Sequence, residues 1–107
     1  MATISAENDY FTTINVFTTT PEHQQKVLEI ISGAEEKMRD FPGFVSASIH
    51  VSHDGTQVIG YAQWAKKEDF DGMRARADLQ QHFQAVRKLV SSVDPIAARV
   101  TYTHDGT

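Results

Sequence analysis

GFVSASIHVSHDGTQVIGYAQW, residues 43–64, holds two strand-like runs joined through Asp54-Gly55 and ends on Trp64, the only tryptophan of the chain. An Asp-Gly pair between alternating runs is a strong hairpin signal, because both residues tolerate the backbone of a tight turn. Val45, Ala47, Ile49 and Val51 give the first run one wholly apolar face. Ser46, Ser48 and His50, with Gln63 in the second run, stand where a purely structural strand would carry valine. That mixture reads as a cavity wall. The register has two solutions. A two-residue Asp54-Gly55 loop sets His50 opposite Ile59, on the face of Tyr61, whereas a three-residue loop with a bulge sets it opposite Val58, on the face of Trp64.

Outward from the hairpin, Tyr10 to Thr18 is rich in β-branched and aromatic residues and reads as a first strand. Thr20 as N-cap, Pro21 at the first helical position and Glu22 near the positive dipole end then predict a helix start. Val27, Leu28, Ile31, Ala34 and Met38 recur at helical spacing, and Phe41-Pro42-Gly43 ends the helix by turn chemistry. The hairpin strands run from about Phe44 to Ser52 and from about Gln57 to Trp64. Lys66-Lys67-Glu68-Asp69 opens a short helix holding Phe70 and Met73, with a break at Ala77-Asp78. A second helical piece carries Leu79, Phe83, Val86 and Val90 on one face; Pro95 closes it, and Ile96 to Thr103 reads as a last strand.

This order predicts an α+β fold of the ferredoxin-like, split βαβ kind, with an antiparallel sheet and helices on one face. A single domain spans residues 1–107, with short tails at 1–9 and 104–107. Ile14 and Val16 alternate with Asn15 and Phe17, so apolar side chains fall on both faces of the first strand. The face without helices needs a cover, and a second copy of the chain is the simplest one.

Composition narrows the partners. A net charge of −4, from 14 acidic and 10 basic residues, with only Lys66-Lys67 adjacent, argues against nucleic acid and against anionic membrane surfaces. With no cysteine there are no disulfides, no thiolate chemistry and no cysteine-bound metal. No apolar run approaches the ~20 residues that span a bilayer, and a signal pattern is missing, so the chain reads as cytoplasmic. Gly60-Tyr61-Ala62 resembles the centre of an RNA-recognition signature, but Ile59 and Gln63 occupy the places of its basic and aromatic residues. His50 and His53 lie three apart on a strand, on opposite faces, and cannot chelate one ion. His50 is either a half-buried structural histidine or a general base lining a cavity. Asn15, an amide between Ile14 and Val16, faces either solvent or a polar pocket. His82 and Gln84 flank the apolar stripe of the last helix. Phosphate loops, nucleophile elbows and dinucleotide fingerprints are absent.

Asn15-Val16-Phe17, Thr20-Pro21-Glu22, Pro42-Gly43-Phe44, His50 to Asp54-Gly55-Thr56 and Tyr61-Ala62-Gln63-Trp64 together resemble the antibiotic biosynthesis monooxygenase (ABM) family of dimeric α+β barrels. The resemblance runs from Phe11 to Tyr102 and is nearest to the small cofactor-independent oxygenases that convert anthrone or dihydroquinone units of aromatic polyketides into quinones. It implies a homodimer acting on a small aromatic substrate and dioxygen, with neither metal nor flavin. In that branch a tryptophan and an asparagine on the third strand, a tyrosine after it, an arginine on the following helix and a histidine on the second strand surround the substrate. Trp64 and His50 match. Gly60 stands at the asparagine position, Phe70 at the tyrosine position and Gln84 near the arginine position, with Arg76 or Arg87 as alternatives. Set beside the residues read above, this gives Trp64 as the first donor, Asn15 as a second and His50 as the base. Phe17, Phe70, Met73, Phe83, Tyr61, Gln63 and His82 complete the implied substrate contacts. A haem-degrading branch uses an asparagine on the first strand and a tryptophan and a histidine on later helices; Asn15 and His82 fit two of these roles, while Met73 stands at the tryptophan. A barrel that binds an aromatic ligand without oxidising it, or isomerises it, is the other alternative.

Overall fold

Alternation along the central strands decides which side chains meet the helices. In the computed structural model, which describes residues 3–106, the elements are β1 (Phe11–Thr18), α1 (Gln24–Met38), β2 (Phe44–Val51), β3 (Gln57–Trp64), α2 (Lys67–Arg74), α3 (Ala77–Arg87) and β4 (Ser92–Ala98). The four strands form one antiparallel sheet in the order β2-β3-β1-β4. This is the ferredoxin-like arrangement expected from the element order. The outermost residues of the expected tails, 1–2 and 107, lie outside the described residues.

In the β1–β3 pair Phe11 faces Trp64, Thr13 faces Ala62, Asn15 faces Gly60 and Phe17 faces Val58. Because strand side chains alternate, these eight residues share the face covered by helices. Thr12, Ile14, Val16 and their partners Gln63, Tyr61 and Ile59 share the other. The helix-covered face carries two packed clusters. Trp64, Ala62, Met38, Ala34, Met73 and Leu79 form one, and Phe17, Val58, Val27, Ile31 and Val86 the other. Both draw on α1, whose Val27, Ile31, Ala34 and Met38 are buried at helical spacing.

The hairpin takes the register in which His50 faces Ile59. The turn is longer than two residues: Gly55 N–H donates to Ser52 O at 3.2 Å, with Gly55 at φ +81°. Asp54 Oδ1 accepts from Ser52 Oγ at 2.7 Å, Thr56 N–H at 3.0 Å and Thr56 Oγ1 at 2.7 Å. The Thr56 hydroxyl, then its backbone N–H, then Ser52 hold the Asp54 carboxyl below its ordinary pKa. Gln24, at the start of α1, ties this tip to the helix layer by donating to Ser52 O at 3.1 Å and Gln57 O at 2.9 Å.

Three boundaries differ from the sequence expectation. The first helix begins at Gln24, not after Thr20; Pro21 to His23 form a turn whose His23 and Gln24 N–H groups both donate to Thr20 O at 3.0 Å. The break between the last two helices falls at Ala75-Arg76, and α3 begins at Ala77. The last strand, β4, runs Ser92–Ala98 and not Ile96 to Thr103, so Pro95 lies inside it instead of before it. β4 is an edge strand, where a residue without an N–H is tolerated on the unpaired side.

Between α1 and β2, Gly43 has φ +80°, its carbonyl accepts the Ala65 N–H at 2.7 Å, and an added Cβ would collide with the Asp69 side chain. Gly43→Ala should therefore lower stability by about 1–3 kcal/mol in urea unfolding. A midpoint equal to that of the unsubstituted chain would show that this turn relaxes freely.

Candidate active site

A cavity of about 260 Å³ lies between the sheet and the helices. β1 contributes Thr13, Asn15 and Phe17, β3 contributes Gly60, Ala62 and Trp64, and α1 contributes Ile31, Ala34, Glu35 and Met38. Phe70, Met73 and Arg74 of α2, Phe83, Val86 and Arg87 of α3, and Val93 and Pro95 of β4 close it. Arg74, Arg87, Val93 and Pro95 are exposed, so the cavity opens to solvent on their side. Gly60 leaves room in its floor: a Cβ there would meet nothing within 4 Å. A larger depression of about 580 Å³, lined by residues such as Tyr10, Lys66 and Arg99, lies at the end of the sheet. Its lining includes none of the residues with buried unpartnered polar atoms, which makes the smaller cavity the candidate site.

Trp64 anchors the inner wall. It is fully buried, with Phe44 edge-on at 5.3 Å and Phe70 edge-on at 6.1 Å between ring centroids. Its Nε1–H has no acceptor among the described residues. A buried donor without a partner costs on the order of 1–3 kcal/mol, and a ligand oxygen would recover that cost. Asn15 projects from the adjoining strand directly opposite Gly60, so an amide stands beside the position where the resemblance places an asparagine.

Of the residues singled out from sequence, Trp64, Asn15, Phe17, Phe70, Met73 and Phe83 converge on this cavity. Four others do not. His50 lies on the opposite face of the sheet, across from Ile59, and is exposed. The observed register sends it away from Trp64, which removes it as a base for this cavity. Tyr61 and Gln63 share that far face by the same alternation; Gln63 Oε1 accepts from Ser46 Oγ at 2.7 Å, and its Nε2 lies 3.4 Å from Tyr61 Oη. His82 sits on the contact between α3 and α1, where a Cβ on Gly33 would lie 3.8 Å from its ring, and is not part of the cavity lining. The pair of roles that Asn15 and His82 would share in haem cleavage is therefore not assembled. Of the arginines, Arg87 lines the cavity, whereas Arg76 stacks over Phe41 at 4.6 Å and pairs with Asp78 at 3.1 Å.

Glu35 and Arg74 enter the site without having been picked out from sequence. Helical spacing does place Glu35 one residue past the buried Ala34 and one turn past Ile31, at the border of the apolar stripe. Its Oε2 is shut off from solvent and has no hydrogen-bond partner among the described residues, and burial pushes its carboxyl pKa up to about 7. A carboxyl whose folded pKa lies above its unfolded value favours folding when protonated. That advantage is present below pH 4.5 and disappears as pH rises through about 7. Glu35→Gln should accordingly raise the melting temperature above that of the unsubstituted chain at pH near 8, a gain of roughly 1–3 kcal/mol, and leave it nearly unchanged near pH 4. Equal melting temperatures at both pH values would show that Glu35 is solvated.

Comparison with known proteins places this geometry in a family. Residues 10–89 match the family described as antibiotic biosynthesis monooxygenase. The tetracenomycin-F1 monooxygenase of Streptomyces glaucescens is 44% identical over 108 aligned positions, covering 100% of this chain and 96% of that protein. The fold is shared with SnoaB, a cofactor-independent oxygenase from Streptomyces nogalater, at a TM-score of 0.78 and 20% identity over 89% of this chain and 96% of that one. It is also shared with the ActVA-Orf6 monooxygenase of Streptomyces coelicolor, solved with nanaomycin D, at a TM-score of 0.80 and 24% identity over 94% of this chain and 96% of that one. With its full-length relative and its matched cavity-forming elements, the chain belongs to the antibiotic biosynthesis monooxygenase family.

Proposed function

We propose that the chain is a cofactor-independent monooxygenase that oxidises a planar phenolic, polyketide-type substrate of the anthrone or dihydroquinone class to a quinone. The observation that carries this reading is Trp64, which lines a largely apolar cavity and whose Nε1–H is buried with no partner among the described residues. A flat aromatic ligand suits walls made of Phe17, Phe70, Met73 and Phe83, and its oxygen would take the indole hydrogen bond. Tetracenomycin F1 is what the 44% identical relative is named for, and that name supports the same class of substrate here.

The reaction balances without an outside reductant. An anthrone methylene loses one proton, and the resulting carbanion, delocalised as an enolate, gives one electron to dioxygen. The two radicals combine into a C–O bond. Loss of the second proton from that carbon, with cleavage of the O–O bond, leaves a carbonyl and releases water. One carbon is oxidised by four electrons, and the dioxygen accepts all four. The protein's part is to exclude water, hold the ring system and stabilise charge on the enolate oxygen, through Trp64 and Asn15. Arg87 and Arg74 at the mouth add positive charge toward that anion.

The second sheet face supports a homodimer. Ile14, Val16, Ile59, Tyr61 and Ile96 share it, with Ile96 48% exposed, and no helix covers it. Two copies meeting through these faces would bury them and close a barrel. Light scattering at micromolar concentration should give twice the 12.0 kDa chain mass; a monomer would overturn this assembly.

Turnover tests the oxygenase reading directly. Incubation with an anthrone under air should produce quinone absorbance with matching oxygen uptake and no added cofactor. Trp64→Phe keeps most of the apolar surface and removes the donor, so it should lower kcat by roughly tenfold to a thousandfold. Unchanged turnover in that variant would reduce Trp64 to packing.

A further inference from the structure

We propose that Glu35 is the general base of the cavity, removing the substrate proton whose loss makes the ring system electron-rich enough to reduce dioxygen. The inference rests on the oxygenase reading above and assigns within it a role that His50, exposed on the far face, cannot fill.

Among the described residues Glu35 is the sole carboxylate of the cavity lining. It projects from α1 into a wall otherwise made of Ile31, Ala34 and Met38. Oε2 is inaccessible to solvent and has no partner among the described residues. The other charged groups of the same lining are Arg74 from α2 and Arg87 from α3, and Arg39 follows one turn along α1 at its C-cap; His82 of α3 packs on Gly33 of α1, and the polar residues that the sheet contributes, Thr13 and Asn15, are uncharged. Among the described residues none of these arginines forms an ion pair with Glu35. An isolated carboxylate in apolar surroundings is a stronger base than one in water, because taking up a proton removes the charge that burial penalises. Its pKa, raised by burial to about 7, leaves a useful fraction ionised at neutral pH.

Two residues of the cavity lining also carry buried polar atoms of complementary kind that have no partner among the described residues. Glu35 Oε2 is an acceptor and Trp64 Nε1–H is a donor. A ligand bearing a proton to give up and an oxygen to receive a hydrogen bond satisfies both, which an anthrone or dihydroquinone does and a plain hydrocarbon does not. The step conserves charge: the breaking C–H or O–H bond leaves its electron pair on the ring system, the proton moves to the carboxylate, and negative charge moves from Glu35 to the substrate oxygen facing the donors. The protonated Glu35 can then return its proton to the peroxide oxygen as the O–O bond breaks.

The test measures kcat for anthrone oxidation from about pH 5 to about pH 9 in the unsubstituted protein, Glu35→Gln and Glu35→Asp. Quinone affinity is read in parallel from quenching of the single tryptophan. The unsubstituted enzyme should lose activity below about pH 7. Glu35→Gln should fall by roughly a hundredfold or more and lose that acid limb, while quinone affinity stays within about twofold. Glu35→Asp, which withdraws the carboxyl by one methylene, should retain the acid limb at an intermediate rate. Glu35→Gln turning over within about threefold of the unsubstituted protein, with the acid limb intact, would overturn the assignment and leave the oxygenase reading standing. Should Glu35→Gln not fold, Glu35→Asp without an acid limb would overturn it equally. If the unsubstituted protein binds the quinone yet leaves anthrone unoxidised, it is the oxygenase reading that fails, and the assignment of Glu35 falls with it.

Discussion

The pairing of β1 with β3 is the constraint on which the rest depends. Asn15 opposite Gly60, with Phe17 against Val58 and Phe11 against Trp64, sets which residues of the two central strands face the helices. A slip by one residue would send every one of these side chains to the other face and bring Ile14, Tyr61 and Gln63 under α1. Trp64 would then leave the cavity and its cluster with Met38, Met73 and Leu79 would dissolve. Both edge strands inherit this register: β2 through β3 and β4 through β1.

Within that frame the cavity is expensive by design. A packed core would fill the space above Gly60 and would pair or remove the indole N–H and the Glu35 carboxylate. Each unpaired group lowers stability, and the surrounding clusters of aromatic and aliphatic side chains offset the loss. Such local destabilisation is the usual companion of a site whose polar groups await a ligand. The hairpin's turn, by contrast, is supplied with partners, from Asp54 within it to Gln24 across the tip.

The far face of the sheet divides the polar residues of the hairpin into a different class. Ser46, Gln63 and Tyr61 form their own chain of contacts there, and His50, opposite Ile59 on the same face, is exposed. The sequence pattern that marks a cavity wall is therefore real in kind and misplaced by one face. Serine, glutamine and histidine in a strand mark a surface that is not plain core, but alternation alone leaves open which side holds the helices.

Local chemistry already determined the β1–β3 elements, the Asp54-Gly55 turn, the apolar stripe of α1 and the presence of Trp64 at the end of β3, because these follow from periodicity and from backbone preferences within a few residues. The resemblance of scattered motifs added the family. What only the tertiary structure decided was convergence. Glu35 looks like one more acidic residue beside Glu36 until α1 is laid against the sheet, and Pro95 looks like a terminator until β4 is found at an edge. His50 and Trp64 belong to the same hairpin yet face opposite ways, since a turn a single residue longer or shorter reverses the answer. Register, helix docking and the desolvation of a carboxylate are properties of distances between segments far apart in the chain, and no local pattern contains them.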